Sequence, residues 1–188
     1  MSQQELLIKA VRSLDALSID YMITGSLVSS LQGEPRSTHD IDIVVSVNRE
    51  DVINLADAFP PPRYHVDVES IKKAISQNGM FNMLDLESGD RIDFWLLTEN
   101  DFDRSRFERK IRETIFGVGI DISTPEDTIL MKLRWGMLAG GSEKQFTDAL
   151  RVYELQYATL DFNYMKTWAQ KLGITALMNR LIKEAEPV

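Results

Sequence analysis

Apolar residues form two different patterns in the first quarter of the chain. Behind a capping box at the N-terminus, apolar positions recur every three or four residues, which predicts an amphipathic helix over about residues 3–17. Two short apolar runs follow, and their length and composition predict strands at 21–24 and 41–45. The segment between them, with Leu27, Val28 and Leu31, predicts a short helix.

The middle of the chain continues with short elements of both kinds. The pattern predicts helices at 49–58 and 70–77, and strands near 64–68 and at 81–86, 91–97 and 116–122. The connection 87–90 has four residues and contains a glycine, so the strands on either side of it are predicted to form a hairpin. This mixture of strands and helices indicates a mixed sheet flanked by helices.

From Ser123 onwards the pattern is helical. Thr124 supplies an N-cap hydroxyl, and Pro125 occupies the first helical position. Helices are predicted at 125–138, 143–156, 162–171 and 175–185. The sequence therefore predicts an α+β (mixed α/β) fold, with a core over residues 1–123 and a C-terminal helical region over residues 124–188.

Composition and charge narrow the functional classes. The chain has 188 residues, with 29 Asp and Glu against 21 Lys and Arg, two His and no Cys. Without cysteine there is no disulfide scaffold, thiolate zinc site, iron–sulfur cluster or cysteine nucleophile. The formal net charge of -8 disfavours a dedicated nucleic-acid binder, because phosphate neutralisation supplies most of that affinity. It does not exclude an enzyme that gathers carboxylates around divalent metal ions.

The hydropathy pattern predicts neither a targeting segment nor a membrane span. The N-terminus lacks an uninterrupted apolar stretch behind a basic one, so no signal peptide is predicted. No run approaches the roughly 18 apolar residues that a membrane span needs. We therefore expect a cytoplasmic protein with no membrane partner.

Three aspartates on predicted strands form a pattern that suits metal binding. Asp40 and Asp42 are two residues apart, so on a strand their side chains leave from the same face. Asp93 lies on another apolar strand, and the three acids converge if the two strands are neighbours. Adjacent carboxylates need compensating cations, and two Mg²⁺ ions about 3.5–4 Å apart would clamp a phosphoryl transfer. An Asp-x-Asp pair by itself is more often a solvated strand face.

The Gly25-Ser26 turn is a candidate phosphate site. Glycine permits a tight strand-to-helix turn, and the Ser26 hydroxyl with the following amides presents donors at a helix N-terminus. A Gly-Ser pair alone is a common turn. The order of strand, Gly-Ser, short helix, Arg-x-Thr-x-Asp-Ile-Asp and a later strand with Asp93 is much more specific than any single part.

These motifs resemble a known signature. Gly25-Ser26 followed by Arg36-Ser37-Thr38-His39-Asp40-Ile41-Asp42 is similar to the signature of the nucleotidyltransferase superfamily related to DNA polymerase beta. The Arg-x-Thr-x-Asp-Ile-Asp form most resembles the abortive-infection AbiE-type toxins and related uncharacterised bacterial nucleotidyltransferases. Thr124–Asp127 with Lys132 resembles the start of their helical region, and the resemblance covers about residues 5–150.

The resemblance implies a Mg²⁺-dependent enzyme that transfers a nucleoside monophosphate from NTP, such as ATP, to an acceptor hydroxyl. In that role Asp40 and Asp42 hold two Mg²⁺ ions, and Asp93 completes one metal site and helps to deprotonate the acceptor. RNA such as tRNA, protein hydroxyls and small molecules are all acceptors within the superfamily, so the acceptor stays open.

The same resemblance assigns the nucleotide phosphates to a second set of residues. Gly25 and Ser26 would hold the triphosphate. Arg36 and Thr38 would either bind phosphate or fix the loop that carries them. Lys132 would either reach the nucleotide phosphates or lie on a helix surface, and the surface position is the better default.

A second hypothesis is a nucleotide-binding or regulatory component of a toxin–antitoxin pair, without turnover. AbiE-type toxins often carry a basic residue followed by Asp-x-x-Asp in the second helix of the C-terminal region. Here Lys144 is followed by Gln145, and only Asp148 of the acidic pair is present. The three strand acids favour an active enzyme, whereas the missing acid favours reduced activity. An antitoxin-like protein is the partner that this hypothesis expects.

Positive charge is concentrated at residues 104–112. Five basic residues alternate there with Asp103 and Glu108. Such a stretch is usually a solvated face, but beside an acidic cleft it would guide a polynucleotide acceptor such as tRNA.

Overall fold

The computed structural model describes residues 2–38 and 40–187. The helices are α1 (Gln3–Ala16), α2 (Gly25–Gln32), α3 (Val52–Asp57), α4 (Val68–Gln77), α5 (Asp101–Glu108), α6 (Pro125–Leu138), α7 (Glu143–Gln156), α8 (Phe162–Lys171) and α9 (Thr175–Glu184). The strands are β1 (Tyr21–Thr24), β2 (Asp40–Val45), β3 (Tyr64–Val66), β4 (Met80–Asp85), β5 (Arg91–Leu96), β6 (Ile111–Ile115) and β7 (Val118–Ile122). Within the described residues, every helix is too short or too polar to traverse a bilayer.

The strands form one mixed sheet with the order β3-β4-β5-β2-β1-β7-β6. β2 lies at its centre, antiparallel to β1 and parallel to β5. β1 is parallel to β7, and the remaining neighbours are antiparallel. The mixed α/β fold and the β4–β5 hairpin predicted from the sequence are confirmed.

The two faces of the sheet centre differ in chemistry because side chains alternate along each strand. Ile41 and Ile43 of β2 are fully buried, as are Ile92 and Phe94 of β5. The Phe94 ring stacks on Phe81 of β4 with ring centroids 4.9 Å apart. Each such buried side chain stabilises the fold by about 1.5–3 kcal/mol. The alternate positions carry Asp40, Asp42 and Asp93 on the opposite face, and beyond them Val44 and Trp95 belong to a second apolar cluster.

The hydrophobic pattern does not predict two of the described elements, α5 and β6. α5 is short and mostly polar, and β6 is exposed over most of its length, so neither has an apolar period to detect. β6 and β7 pair as a hairpin joined by Phe116 and Gly117, both with positive φ. A two-residue turn of this kind matches the twist of the strands that it joins. The predicted strand at 116–122 therefore begins only at Val118.

The residues group into two compact units by their internal contacts. One unit comprises Met1–Thr24 and Thr38–Ile122 and holds the whole sheet, and the other comprises Gly25–Ser37 and Ser123–Val188. The second unit thus joins α2 to the C-terminal helices. The sequence predicts a single boundary at residue 123, which would leave α2 with the sheet. That division stays a prediction.

A glycine lets α2 approach α7 within the second unit. A Cβ atom at Gly33 would lie 2.9 Å from the Ser29 carbonyl oxygen and 3.0 Å from the Val152 backbone nitrogen. These distances are shorter than normal contacts, so only glycine fits there without movement of the backbone. The close approach brings the segment that follows α2 against α7.

Candidate active site

The three aspartates predicted from the sequence lie on neighbouring strands at the centre of the sheet. Asp40 and Asp42 belong to β2 and Asp93 belongs to β5, where Asp42 and Asp93 are direct partners in register. Partners on adjacent strands point to the same face, as do residues two apart on one strand. The strands are therefore arranged as the metal-binding interpretation requires.

Arg91 balances part of this negative charge. Its Nη2 atom lies 3.2 Å from an Asp40 carboxylate oxygen, and its Nε atom lies 2.8 Å from Asp93 Oδ1. Nη2 also donates to Asp93 Oδ2 over 3.0 Å. The Asp93 side chain is only 9 % exposed and that of Asp40 is 54 % exposed. We call Asp40, Asp42, Asp93 and Arg91 the acidic cluster.

Neutral donors hold two of these carboxylates in place. The Trp95 indole N–H donates to Asp42 Oδ1 over 3.1 Å. The Asn82 amide on β4, in register with Asp93, donates to Asp93 Oδ1. Hydrogen bonds of this kind fix the direction of the carboxylates. Asp40 and Asp93 also share the Arg91 guanidinium.

The chemistry of the acidic cluster fits Mg²⁺. Its donors are all carboxylate oxygens, and Mg²⁺ typically takes one or two carboxylates together with substrate phosphate oxygens. In residues 2–38 and 40–187, no three His, Cys, Asp or Glu side chains are arranged as ligands of one ion. The adjacent pair Asp42 and Asp93 supplies the number of carboxylates that a nucleotide-bound Mg²⁺ requires.

A second polar cluster forms in the helical unit around Ser26, near the beginning of α2. Arg36 Nη2 donates to Ser26 Oγ over 3.0 Å, and Lys132 Nζ donates to the same oxygen over 3.2 Å. Both cations also bind the Asp148 carboxylate of α7, Arg36 over 2.9 and 2.7 Å and Lys132 over 2.7 Å. We call Ser26, Arg36, Lys132 and Asp148 the serine cluster.

Burial gives the serine cluster its character. The side chains of Lys132 and Asp148 are 5 % and 8 % exposed. The prediction that Lys132 lies on a helix surface is therefore wrong. Burial raises the pKa of Asp148, but the hydrogen bonds from Arg36 and Lys132 and their positive charges outweigh it and hold that pKa below its usual value. Two cations share one carboxylate here, at the N-terminus of a helix, and this combination attracts anions.

The remaining predicted phosphate ligands take different positions. Gly25 begins α2 with a φ of 74°, a left-handed conformation that favours glycine. Thr38 accepts a hydrogen bond from Gln3 through its carbonyl oxygen, and its hydroxyl donates to the carbonyl oxygen of Asp40 over 3.4 Å. Thr38 thus supports the beginning of β2. Ser26, Arg36 and Lys132, by contrast, form one cluster.

Sequence reasoning missed the partners that organise both clusters. Arg91, Asn82 and Trp95 are identified only by the strand register, since nothing in their spacing marks them. Asp148 was visible only as a fragment of the acidic pair that follows Lys144. Its role in the serine cluster follows from the packing of α7 beside α6.

The basic stretch 104–112 is largely neutralised by ion pairs. Arg104 pairs with Glu99, Arg106 with Asp103, Lys110 with Asp20 and Arg112 with Asp121. Paired charges exert a weaker field on a distant polyanion than free ones. These contacts favour the interpretation of a solvated face over that of a guide for a polynucleotide.

A cavity of about 920 Å³ lies between α1 and α3. Ile8, Lys9, Arg12 and Asp57 are among its lining residues, and the three strand aspartates are not. It therefore carries none of the chemistry predicted from the sequence.

Solved structures of nucleotidyltransferases share this fold. No family model matches the chain, and no curated protein matches it in sequence. The chain is similar to the antibiotic-resistance factor ANT(2'')-Ia, with a TM-score of 0.60 and 12 % identity over 95 % of this chain and 96 % of that one. It is also similar to a nucleotidyltransferase-like protein from Paracoccidioides brasiliensis, with a TM-score of 0.59 and 22 % identity over 98 % and 90 % of the two chains.

A third similar structure is the lincosamide antibiotic adenylyltransferase LnuA, bound to lincomycin. Its TM-score is 0.53, at 14 % identity over 82 % of this chain and 98 % of that one. At such identities the similarities show the fold alone. The chain therefore has the nucleotidyltransferase fold that the motif resemblance predicts, while the narrower similarity to AbiE-type toxins stays a prediction.

Proposed function

We propose that the protein transfers a nucleoside monophosphate from an NTP to an acceptor hydroxyl in the presence of Mg²⁺. The observation that carries this proposal is the register of β2 and β5, which pairs Asp42 with Asp93 in a nucleotidyltransferase fold. Catalysis in such a site consists mainly of positioning and electrostatic stabilisation. The fold alone would be compatible with many activities, so the acids decide the assignment.

The three aspartates have separate roles in the proposed reaction. Asp40 and Asp42 would hold two Mg²⁺ ions, and Asp93 would complete one metal site. When bound, Mg²⁺ supplies neutralisation of the phosphate charge that develops during transfer. Asp93 helps to take the proton from the acceptor hydroxyl, whose oxygen then bonds to the α-phosphorus. The bond from that phosphorus to the bridging oxygen of the β-phosphate breaks, and pyrophosphate leaves.

The serine cluster is the proposed site of the triphosphate. Ser26 Oγ already accepts hydrogen bonds from Arg36 and Lys132, so both cations are fixed near the N-terminus of α2. Gly25 contributes a backbone that can approach a phosphate closely. The two positive charges of Arg36 and Lys132 outnumber the single negative charge of Asp148. The cluster therefore keeps an excess positive charge, which suits a polyphosphate. Thr38 has a supporting role, at the beginning of β2.

Transfer of label from α-³²P-NTP tests this proposal directly. Wild-type protein with Mg²⁺ should label an acceptor in a mixture of cellular RNA, protein and small hydroxylated antibiotics. Asp42→Asn and Asp93→Asn should abolish labelling while circular dichroism stays unchanged. Asp101→Asn is the matched control, since Asp101 is exposed in the first turn of α5 and outside the acidic cluster.

The same screen identifies the acceptor class. ANT(2'')-Ia has been solved with adenylyl-2''-tobramycin and LnuA with lincomycin, so small antibiotics belong in the screen. RNA such as tRNA and protein hydroxyls belong there as well, on the motif resemblance. Absence of both label transfer and calorimetric NTP binding would show that the enzyme proposal is wrong.

A binding role without turnover is the second candidate. Gln145 stands where AbiE-type toxins have an acid, and Arg91 occupies two of the three strand carboxylates. Both observations favour reduced activity. A stoichiometric antitoxin-like partner that co-purifies with the chain, without any label transfer, would support this candidate over the first.

A further inference from the structure

We propose that Arg91 controls the metal affinity of the acidic cluster, because its guanidinium holds Asp40 and Asp93 together and must release them when Mg²⁺ binds. This inference rests on the proposed function. It assigns to Arg91 a positioning role that none of the motifs indicates. Its basis is the set of contacts within the acidic cluster.

Arg91 binds the atoms that a metal ion would need. Nη2 donates to Asp93 Oδ2 over 3.0 Å and lies 3.2 Å from Asp40 Oδ1, and Nε lies 2.8 Å from Asp93 Oδ1 without hydrogen-bond geometry. Register explains this reach, because Arg91 is the direct partner of Asp40 and stands two residues before Asp93 on the same strand. A guanidinium and a divalent cation are both stabilised by the negative charge of a carboxylate. Arg91 and Mg²⁺ therefore compete for Asp40 and Asp93.

Arg91 supplies positive charge to the acidic cluster in the absence of a metal ion. Its guanidinium lies against the carboxylates of Asp40 and Asp93. Asn82 and Trp95 orient two of the carboxylates, but both are neutral donors. Arg91, by contrast, is charged and contacts two of the three acids at once.

The position of Arg91 also permits release. Its side chain is 42 % exposed, so the guanidinium can move into solvent on its long stem. The ion pair with Asp40 is exposed and therefore weak, whereas Asp93 is almost buried, and a metal ion must compete with both pairs. In the metal-free cluster Arg91 contacts Asp40 and Asp93, and its guanidinium moves into solvent as the divalent ion takes its place.

Metal titration of Arg91→Gln tests this role. Free Mn²⁺ is measured by electron paramagnetic resonance on the full chain, without nucleotide, alongside a Mg²⁺ competition. Arg91→Gln should bind Mn²⁺ about tenfold more tightly than wild type, since the ion pairs with Asp40 and Asp93 no longer compete. Arg91→Lys, which keeps the charge but not the planar guanidinium, should fall between the two. Addition of Mn²⁺ should raise the melting temperatures of Arg91→Gln and Arg91→Lys by more than it raises the melting temperature of wild type.

Arg63→Gln is the matched control. Arg63 forms an ion pair of the same kind with Asp85 at 3.1 Å in the same unit, outside the acidic cluster. Its replacement should lower stability and leave Mn²⁺ affinity unchanged. Unchanged or weaker Mn²⁺ binding by Arg91→Gln and Arg91→Lys, while wild type binds Mn²⁺ and transfers label, would overturn this inference alone. Absence of Mn²⁺ binding and label transfer in wild type would overturn the proposed function as well.

Discussion

The acidic cluster and the serine cluster use the same kinds of side chain in opposite proportions. In the first, two of the three carboxylates share Arg91, and in the second, two cations share Asp148. The first balance attracts a cation and the second attracts an anion. The proposed function assigns Mg²⁺ to the first cluster and the triphosphate to the second, so each cluster can be tested with its own ligand.

The clusters also differ in access to solvent. Asp40 and Arg91 are about half exposed and Asp93 is almost buried, whereas both Lys132 and Asp148 are almost fully buried. Ion pairs in solvent are weak and exchangeable, while a buried pair becomes costly when one partner is removed. The difference predicts that mutations in the acidic cluster affect chemistry first, and mutations in the serine cluster affect stability first.

Asp42→Asn should produce the largest change. We expect label transfer to fall by at least about 10³-fold, because a metal ligand is lost from the proposed site. The melting temperature should stay near that of wild type or rise, since one of three adjacent negative charges is removed. Transfer assays and differential scanning calorimetry measure the two effects. A loss of stability equal to that of Asp148→Asn would abolish the distinction between the clusters.

Asp148→Asn should destabilise the protein by about 3 kcal/mol, because it leaves two cations without their shared carboxylate. Urea unfolding followed by circular dichroism measures this change. Glu108→Gln is a suitable control, because Glu108 is exposed at the end of α5. A change within about 0.5 kcal/mol of wild type would mean that the serine cluster behaves like a surface network.

Lys132→Met should weaken NTP binding about tenfold while leaving Mn²⁺ affinity unchanged, because it removes one charged donor from the proposed phosphate site and keeps most of the volume. Isothermal titration calorimetry with NTP and the Mn²⁺ titration give the two values. Lys166→Met, at an exposed position on α8, is the control. Equal weakening by both variants would indicate a general effect of charge.

The smallest effect concerns pH. Because the pKa of Asp148 is lower in the folded chain than its ordinary value, its contribution to stability is present above that ordinary value of about 3.9. It is lost as pH falls below this value and through the folded-state pKa. Asp148→Asn should therefore flatten the acid limb of a stability–pH curve. Asp67, Asp85 and Glu143 also have lowered pKa values, so part of the slope should persist.

The sequence indicates the acids better than it indicates their partners. Asp40 and Asp42 are marked by spacing along one strand, and Asp93 by its place in a second apolar strand. Arg91 contacts Asp40 only because β2 and β5 are parallel and in register. Register depends on the whole sheet, so no short segment encodes it.

The elements show the same limit. Helices with a buried apolar face, such as α1, are predicted to within about two residues. α5 and β6 bury too little apolar surface to leave a periodic signal. Lys132 illustrates tertiary override: its position on a helix favours the surface, and the packing of α7 against α6 buries it beside Asp148.

The outer strands of the sheet have a consequence for association between molecules. In the described residues β3 and β6 form its two edges. Unpaired strand edges can template pairing with another chain, and natural proteins prevent this with short or charged strands. β3 has only three residues, and β6 exposes Arg112 and Glu113 to solvent. The same polar sequence that hides β6 from prediction thus protects the sheet from intermolecular strand addition.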